Sequence, residues 1–507
     1  MIEVRVFNEE SSYKRSKSEP MLYYKGRPMF KFGPMSETST LALKLGSRIH
    51  DVTYWAKWQK ENGMGYVRCY PEQGYGWVDT EAEGRLYPFE QVRPLVFDLD
   101  RFSDEYWQNF RNVAKCLCDN DVIMHLQLVQ VCYFKNWVPE ARRWQCNYWN
   151  HENNVNDYTK NLEPTFPFSD KNNGIMNHWK RYIMAIMDAV GDLGNVIIDL
   201  GNELSSEKDW IEWNIEIMKE WEKKHGVHVI KGIDFTHMDR PSQALVNPDI
   251  DVIMIHGEHV DDAPLLRKIF KKPVVSVISR DTEYLGLAEG DQPNEDRFRR
   301  LHYRCLMNKV QGMGDYGKMM GGQDKKRTGD VKVNLNVLDP ERIAKFASDA
   351  KILNEFYNQL IDYSSLSVTR DRVINWTKGA RCYCLNSNSE IVIYLEPGFN
   401  ALLDGTEFDE DTLVISVYAR EEKKLFAGVE KAEIIDPSSG MRRMVPVVIE
   451  EYLKYSNKAN LSAQKIPEKV AKIKLPAFKN DLLVIFKSAN DTGDKGHLGS
   501  NEPSNNN

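Results

Sequence analysis

Eight short apolar runs, separated by segments long enough for helices or loops, partition residues 23–316 and narrow the possible folds more than any other feature. They fall at residues 29–33, 65–70, 122–128, 195–204, 227–235, 251–256, 273–278 and 310–316. Strands alternating with helical patterns imply a parallel sheet, because a parallel neighbour can be reached only by a crossover, and eight such strands imply closure into a (β/α)8 barrel. Between the runs, residues 40–60 carry helical periodicity with Trp55 and Trp58 on one face, and residues 104–120 form an amphipathic pattern behind a capping Ser103. Residues 177–190, 210–224 and 297–309 read as further helices. An open doubly wound sheet is the alternative, but it wants a phosphate-binding glycine turn after the first strand, where this chain has Gly33-Pro34. The literal G-x-G-x-x-G at Gly312, Gly314 and Gly317 does not supply one. It is followed by Gly321-Gly322 and a Gln-Asp-Lys-Lys-Arg loop rather than a helix, so these glycines read as a loop leaving the eighth strand.

A barrel of about 250 to 350 residues does not use up the 507 in the chain. After a terminal helix at 340–363 the pattern turns to period two, as in residues 391–395 and 413–418, with turns at Pro397-Gly398, residues 437–440 and Lys479-Asn480-Asp481. That texture predicts an antiparallel β-sandwich. The organisation expected is an N-terminal arm or edge strand over 1–20, a barrel over 21–365, a sandwich over 366–488, and a Gly-, Ser- and Asn-rich disordered tail over 489–507. Residues 71–92 read as a long loop of the kind that lines a barrel mouth, and the forty after 128 as a second long loop of functional character. The second is unusually rich in aromatic residues and amides, including Tyr133, Trp137, Trp144, Tyr148, Trp149, Asn153, Asn154 and Asn156.

Charge and cysteine usage exclude several classes. Lys and Arg total 67 against 74 Asp and Glu, a formal charge of −7, so no basic excess asks for nucleic acid. The 12 Trp, 23 Tyr and 20 Phe can build a large core and leave aromatics over for sugar rings. The eight cysteines contain no C-x-x-C pair and read as free buried thiols. His256-Gly257-Glu258-His259 has neither H-E-x-x-H spacing nor a marked third ligand, so no metal and no cofactor are expected. No charged-then-apolar leader is visible in residues 1–24, and no apolar run approaches the roughly 20 residues of a membrane span. The chain reads as soluble, either secreted after loss of a leader or cytoplasmic.

The chemistry is expected where the fourth run, Asn195-Val-Ile-Ile-Asp-Leu-Gly-Asn-Glu-Leu204, pushes Asn202 and Glu203 out past an apolar strand. The same pair could instead cap and charge a helix N-terminus. Other strand ends carry Arg68 and Tyr70, His125, His256, and, past the seventh run, Asp281 and Glu283. Glycoside hydrolysis needs two carboxyl groups flanking the scissile bond, one protonated for the leaving group and one ionised to attack or to activate water. Strands four and seven face each other across a barrel mouth, which can give the ~5 Å separation of a retaining pair, with Arg68 holding the nucleophile ionised.

These residues resemble a family. Gly26-Arg27-Pro28-Met29-Phe30, Val67-Arg68, Gly201-Asn202-Glu203, Lys272-Pro273-Val274-Val275 and the Gly-rich eighth strand look like the clan-A (β/α)8 glycoside hydrolases. Within that group the chain is similar to apiosidase-like barrels with a C-terminal β-sandwich carrying a D-P-x-x-G turn, here Asp436-Pro437-Ser438-Ser439-Gly440. The resemblance spans roughly residues 20 to 487 and implies that Glu203 is the acid/base and that a glutamate at the tip of strand seven is the nucleophile. Five residues past Pro273 this chain has Ile278 instead. Asp281 is the expected nucleophile, with Glu283, Glu258 or loss of retention as alternatives. The expected activity is cleavage of a plant or microbial polysaccharide, with Asn202 on the sugar 2-hydroxyl and Trp77, Tyr133, Trp137 and Trp149 stacked on sugar rings. A degenerate barrel that only binds carbohydrate, or an adhesive protein whose working part is the sandwich, are the alternatives.

Overall fold

The computed structural model describes residues 1–6, 19–33, 35–36, 41, 52–71, 73–75, 84–129, 144–163, 175–201, 208–235, 243–278, 295–314, 340–360, 362–369, 372–387, 389–398, 406–417, 429–455 and 465–487. The chain divides into two compact units, Met1–Asn358 and Gln359–Asn507.

The first unit is a closed parallel barrel. Its strands are β4 (Lys31–Gly33) and β5 (Met35–Ser36), β6 (Tyr66–Cys69), β9 (Ile123–Gln127), β10 (Val196–Asp199), β11 (Ile230–Phe235), β12 (Val252–His256), β13 (Val274–Ile278) and β14 (Val310–Gly314). The sheet runs β4-β14-β13-β12-β11-β10-β9-β6-β5. Its two edges, β4 and β5, are separated by one position only, so the ring closes through a single first strand, and the count is eight. Lys31 to Gly33 pair with β14 on one side, and Met35 and Ser36 pair with β6 on the other. Pro34 between them has no N–H to contribute to a ladder. Every pairing in the ring is parallel.

All eight apolar runs are therefore barrel strands. Crossover helices include Val52–Glu61, Asp104–Asp119, Ile175–Val190, Lys208–His225, Ala263–Phe270 and Glu295–Met307. Ser103 caps the second of these, accepting from Tyr106 N at 3.4 Å. The helix Pro340–Gln359 returns to the start of the barrel, where the Tyr357 hydroxyl donates to Pro28 O at 2.6 Å and its ring lies 5.4 Å from Phe30.

Residues 1–6 and 19–28 close the barrel from below. β1 (Ile2–Val6), β2 (Pro20–Tyr24) and β3 (Arg27–Pro28) form an antiparallel sheet with β1 at one edge. Ile2, Leu22, Tyr24 and Met29 pack with Ile123, Ile197, Ile230 and Val252 at the strands' N-terminal ends. Gln311, 1% exposed, accepts from Leu22 N and donates to Leu22 O and Met29 O, at 2.7 to 2.9 Å. Ile2 N donates to Gly194 O just before β10. With that end sealed, the C-terminal mouth is the one left for a ligand.

One loop reading needs correction. Residues 89–93 and 96–102, the first of them expected as part of a long loop, form an antiparallel ribbon, β7 (Phe89–Arg93) and β8 (Val96–Phe102). In the loop after β9, the asparagines hydrogen-bond the backbone of the loop itself and of the neighbouring strand β8. Asn153 donates to Asn147 O, Asn154 donates to Tyr148 O and Asn150 O, and Asn156 accepts from Leu99 N, all at 2.8 to 2.9 Å. A loop with no ladder must satisfy its buried peptide groups in some other way, and short amide side chains reach them.

The second unit is an antiparallel sandwich. β15 (Ser367–Thr369), β17 (Ala380–Asn386), β18 (Glu390–Pro397), β24 (Leu482–Lys487), β20 (Lys431–Ile435) and β21 (Arg442–Pro446) form one sheet in that order. β16 (Val373–Asn375), β19 (Asp411–Val417), β23 (Lys465–Leu475) and β22 (Val448–Tyr455) form the other. Ile391, Ile393 and Leu395 of one sheet meet Leu413, Ile415 and Ile473 of the other in a common core. Cys384 belongs to that core and Cys382 packs against it, both as free thiols, in keeping with the alternation of the two along one strand.

Candidate active site

Side chains alternate across a strand, so the residues two apart from the inward apolar layer also face the barrel axis. Tyr66, Ile123, Ile197, Ile230 and Val252 are inward. Two or four positions further along the same strands stand Arg68, His125 and Gln127, Asp199, Asp234 and His256, and every one is buried. The barrel axis thus passes from an apolar layer to a charged and polar layer towards the C-terminal mouth. Burying such groups is costly unless they are hydrogen-bonded, and each has a side-chain partner.

Arg68, 2% exposed, donates from Nη2 to Gln127 Oε1 at 3.0 Å. His125 lies between Tyr66 and Asp199, with its Nδ1 2.9 Å from the Tyr66 hydroxyl and its Nε2 3.4 Å from Asp199 Oδ2. Burial lowers the His125 pKa, with the Asp199 hydrogen bond opposing it, and burial raises that of Tyr66. A neutral imidazole must place its single proton on Nε2, facing the carboxylate, and Nδ1 then accepts from the phenol. The second oxygen of Asp199 accepts from Gly201 N at 3.0 Å. The hydrogen-bonded chain Tyr66–His125–Asp199–Gly201 therefore ends on the backbone immediately before Asn202 and Glu203. His256 makes a parallel contact, its Nε2 3.1 Å from Asp234 Oδ2.

The eighth strand leaves room for these large side chains. A Cβ on Gly312 would come within 2.5 Å of the Tyr66 ring, and one on Gly314 within 3.2 Å of Arg68 Cβ. The two glycines lie inside the eighth strand, within the run at 310–316, rather than in a loop leaving it, and they allow close approach across the barrel.

Among the residues expected at the site, Arg68, His125 and His256 are thus in the polar layer. Tyr70 is 8% exposed just past β6. Trp149 is corrected from a sugar-stacking platform to a core residue: it is 1% exposed, with Trp179 and Phe89 at ring distances of 5.7 and 6.1 Å. Asn202, Glu203, Asp281, Glu283, Trp77, Tyr133 and Trp137 lie outside the described residues, as does the Glu258 side chain. Sequence reasoning did not single out Tyr66, Gln127, Asp199 or Asp234. Asp199 and Asp234 did carry a signal, since a carboxylate inside an otherwise apolar strand needs a partner. Among the described residues no cluster of three or more His, Cys, Asp or Glu could hold a metal, and no helix is long and apolar enough to cross a membrane.

No family model matches the chain, and no curated protein matches it in sequence. Solved structures do match in shape. One is a Bacteroides vulgatus ATCC 8482 protein provisionally assigned as a glycoside hydrolase, with TM-score 0.60 and 16% identity, over 96% of this chain and 82% of that one. Another is a glycoside hydrolase with TM-score 0.57 and 9% identity, over 93% and 95%. A third, a family 5 glycoside hydrolase also from Bacteroides vulgatus ATCC 8482, has TM-score 0.57 and 9% identity, over 93% and 92%. The chain shares with these proteins the fold of a (β/α)8 barrel followed by antiparallel β-sheets.

Proposed function

We propose that the barrel is a glycoside hydrolase acting on a plant or microbial polysaccharide, with Glu203 as general acid/base. The observation that carries this reading is the buried relay from Tyr66 through His125 and Asp199 to Gly201 N, which anchors the backbone leading into Asn202 and Glu203. The shape likeness to glycoside hydrolases and the sealed N-terminal end support it. In the proposed reaction Glu203 protonates the leaving glycosidic oxygen, while Asp281, or Glu283 beside it, attacks the anomeric carbon. Water then releases the glycosyl intermediate, with Glu203 taking up the proton. Asn202 would hydrogen-bond the sugar 2-hydroxyl, and Trp77, Tyr133 and Trp137 would offer ring faces to the sugar. Arg68 and His256, held by Gln127 and Asp234, would set the charge around the two carboxyl groups.

Turnover of a panel of polysaccharides by the wild type and Glu203→Gln tests the assignment. A loss of about three orders of magnitude or more is expected, and equal rates would sink it. A second reading, a barrel that binds saccharide without cleaving it, draws on Ile278. It is the last residue of β13, where the family resemblance implies a glutamate. It predicts measurable saccharide affinity with no product from the wild type.

A further inference from the structure

The sandwich contains a cavity of about 500 Å³, where the β20–β21 hairpin turns and residues 476–481 cross from β23 in one sheet to β24 in the other. That volume is within the range of small-ligand sites, about 300 to 1,000 Å³. Its apolar wall is Phe478, 9% exposed and stacked on Phe408 at 4.7 Å, together with Ile434 and Leu482. The two carboxylates that line it are already engaged by neutral donors. Asp436 accepts from Ser438 N and from the Ser438 and Ser439 hydroxyls, at 2.6 to 2.8 Å, and Asp481 accepts from the Tyr394 hydroxyl at 3.0 Å.

The cations are less fully used. Arg442 pairs with Glu433 at 3.0 Å, and Lys479 reaches Glu407 at 3.4 Å between two exposed side chains. Arg443 stands directly opposite Ile434 in the ladder of the edge strand β21, is exposed, lines the cavity, and has no ion pair among the described residues. A charge on an edge strand guards against edge-to-edge pairing. That role needs no cavity beside it, and none with an aromatic wall.

We propose that this cavity is a second ligand site, separate from the barrel chemistry, for a carboxylate-bearing sugar such as a uronic acid residue. The Arg443 guanidinium would take the carboxylate through paired N–H donors, Phe478 would meet the C–H face of the ring, and Ser438 and Asn480 would serve its hydroxyls. The test is isothermal titration of the intact protein with digalacturonate and with galactobiose, its neutral counterpart. The disaccharide is recovered and quantified afterwards, so that hydrolysis in the barrel is separated from binding in the sandwich. Digalacturonate should bind at one site, galactobiose at least about tenfold more weakly, and Arg443→Glu should weaken digalacturonate at least about tenfold without shifting the melting temperature. Arg443→Gln gives the same comparison if charge reversal unfolds the domain. No binding, equal affinity for the two sugars, displacement by equimolar sulfate, or unchanged affinity in the Arg443 variants would overturn the proposal.

Discussion

The two ends of the barrel are built from the same strands and differ in almost everything else. At the N-terminal end Ile123, Ile197, Ile230 and Val252 meet Ile2, Leu22 and Tyr24 of the covering sheet, and the interior is apolar. At the other end the inward positions hold Arg68, Gln127, Asp199, Asp234 and His256, each buried and each with a side-chain hydrogen bond. Burying such groups costs free energy that a purely structural barrel would avoid by using Val or Leu. The contrast fits stability at one end and the proposed chemistry at the other, and it can be broken by substitutions at either.

The largest effect is expected from the proposed acid/base: Glu203→Gln should remove nearly all turnover while leaving the thermal midpoint within a degree or two of wild type, about the size of a neutral surface change. At the sealed end Leu22→Ala should do the opposite. Leu22 is fully buried, so its truncation should cost about 2–5 kcal/mol, read by chemical denaturation, with kcat unchanged in the molecules that remain folded. A matching loss of kcat would break the division between the ends.

Asp199→Ala should fall between the two. It leaves His125 Nε2–H and Gly201 N–H without their acceptor, at a stability cost of about 1–3 kcal/mol, and loosens the backbone before Glu203, so kcat should fall. Asp199→Asn should restore part of both, because an amide oxygen can still accept from Gly201. A stability loss with full activity would make the relay structural only.

The smallest effect concerns pH at the sealed end. His228, between Asp251 and Glu222, has its pKa raised to about 9 by hydrogen bonds to both, and Glu222 is lowered to about 2 by His228, Lys231 and Val229 N against the opposing effect of burial. A raised histidine contributes stability that is complete below about pH 6.5 and lost as pH rises through about 9. His228→Gln should therefore lower the melting temperature at pH 6 and converge on wild type near pH 10. The shift should be small, because His228 is more than half exposed and solvent screens the pairs. An equal shift at both pH values would assign the effect to packing.

The barrel was readable from the chain because its strands are short, apolar and regularly spaced. His125 and His256 were readable because a lone histidine within or ending an apolar run has few structural uses. Asp199 and Asp234 were just as visible as letters, yet nothing local says that Asp199 meets a histidine on the neighbouring strand. Trp149 shows the opposite failure. An aromatic residue in a long polar loop reads as a binding surface until Trp179 and Phe89 from other segments are found beside it.

What the sequence alone determined is therefore the periodic part of the protein: eight parallel strands, crossover helices, a second unit of alternating strands, and polar residues displaced toward strand ends. Period and turn chemistry are local properties, set by backbone geometry and the hydrophobic effect over a few residues. Only the tertiary structure decided that residues 2–6 and 20–28 seal one mouth of the barrel, that Gly312 admits the Tyr66 ring, and that Arg443 lines a cavity. Each of those depends on residues far apart in the chain meeting at a few ångströms, where close packing allows one arrangement and periodicity says nothing.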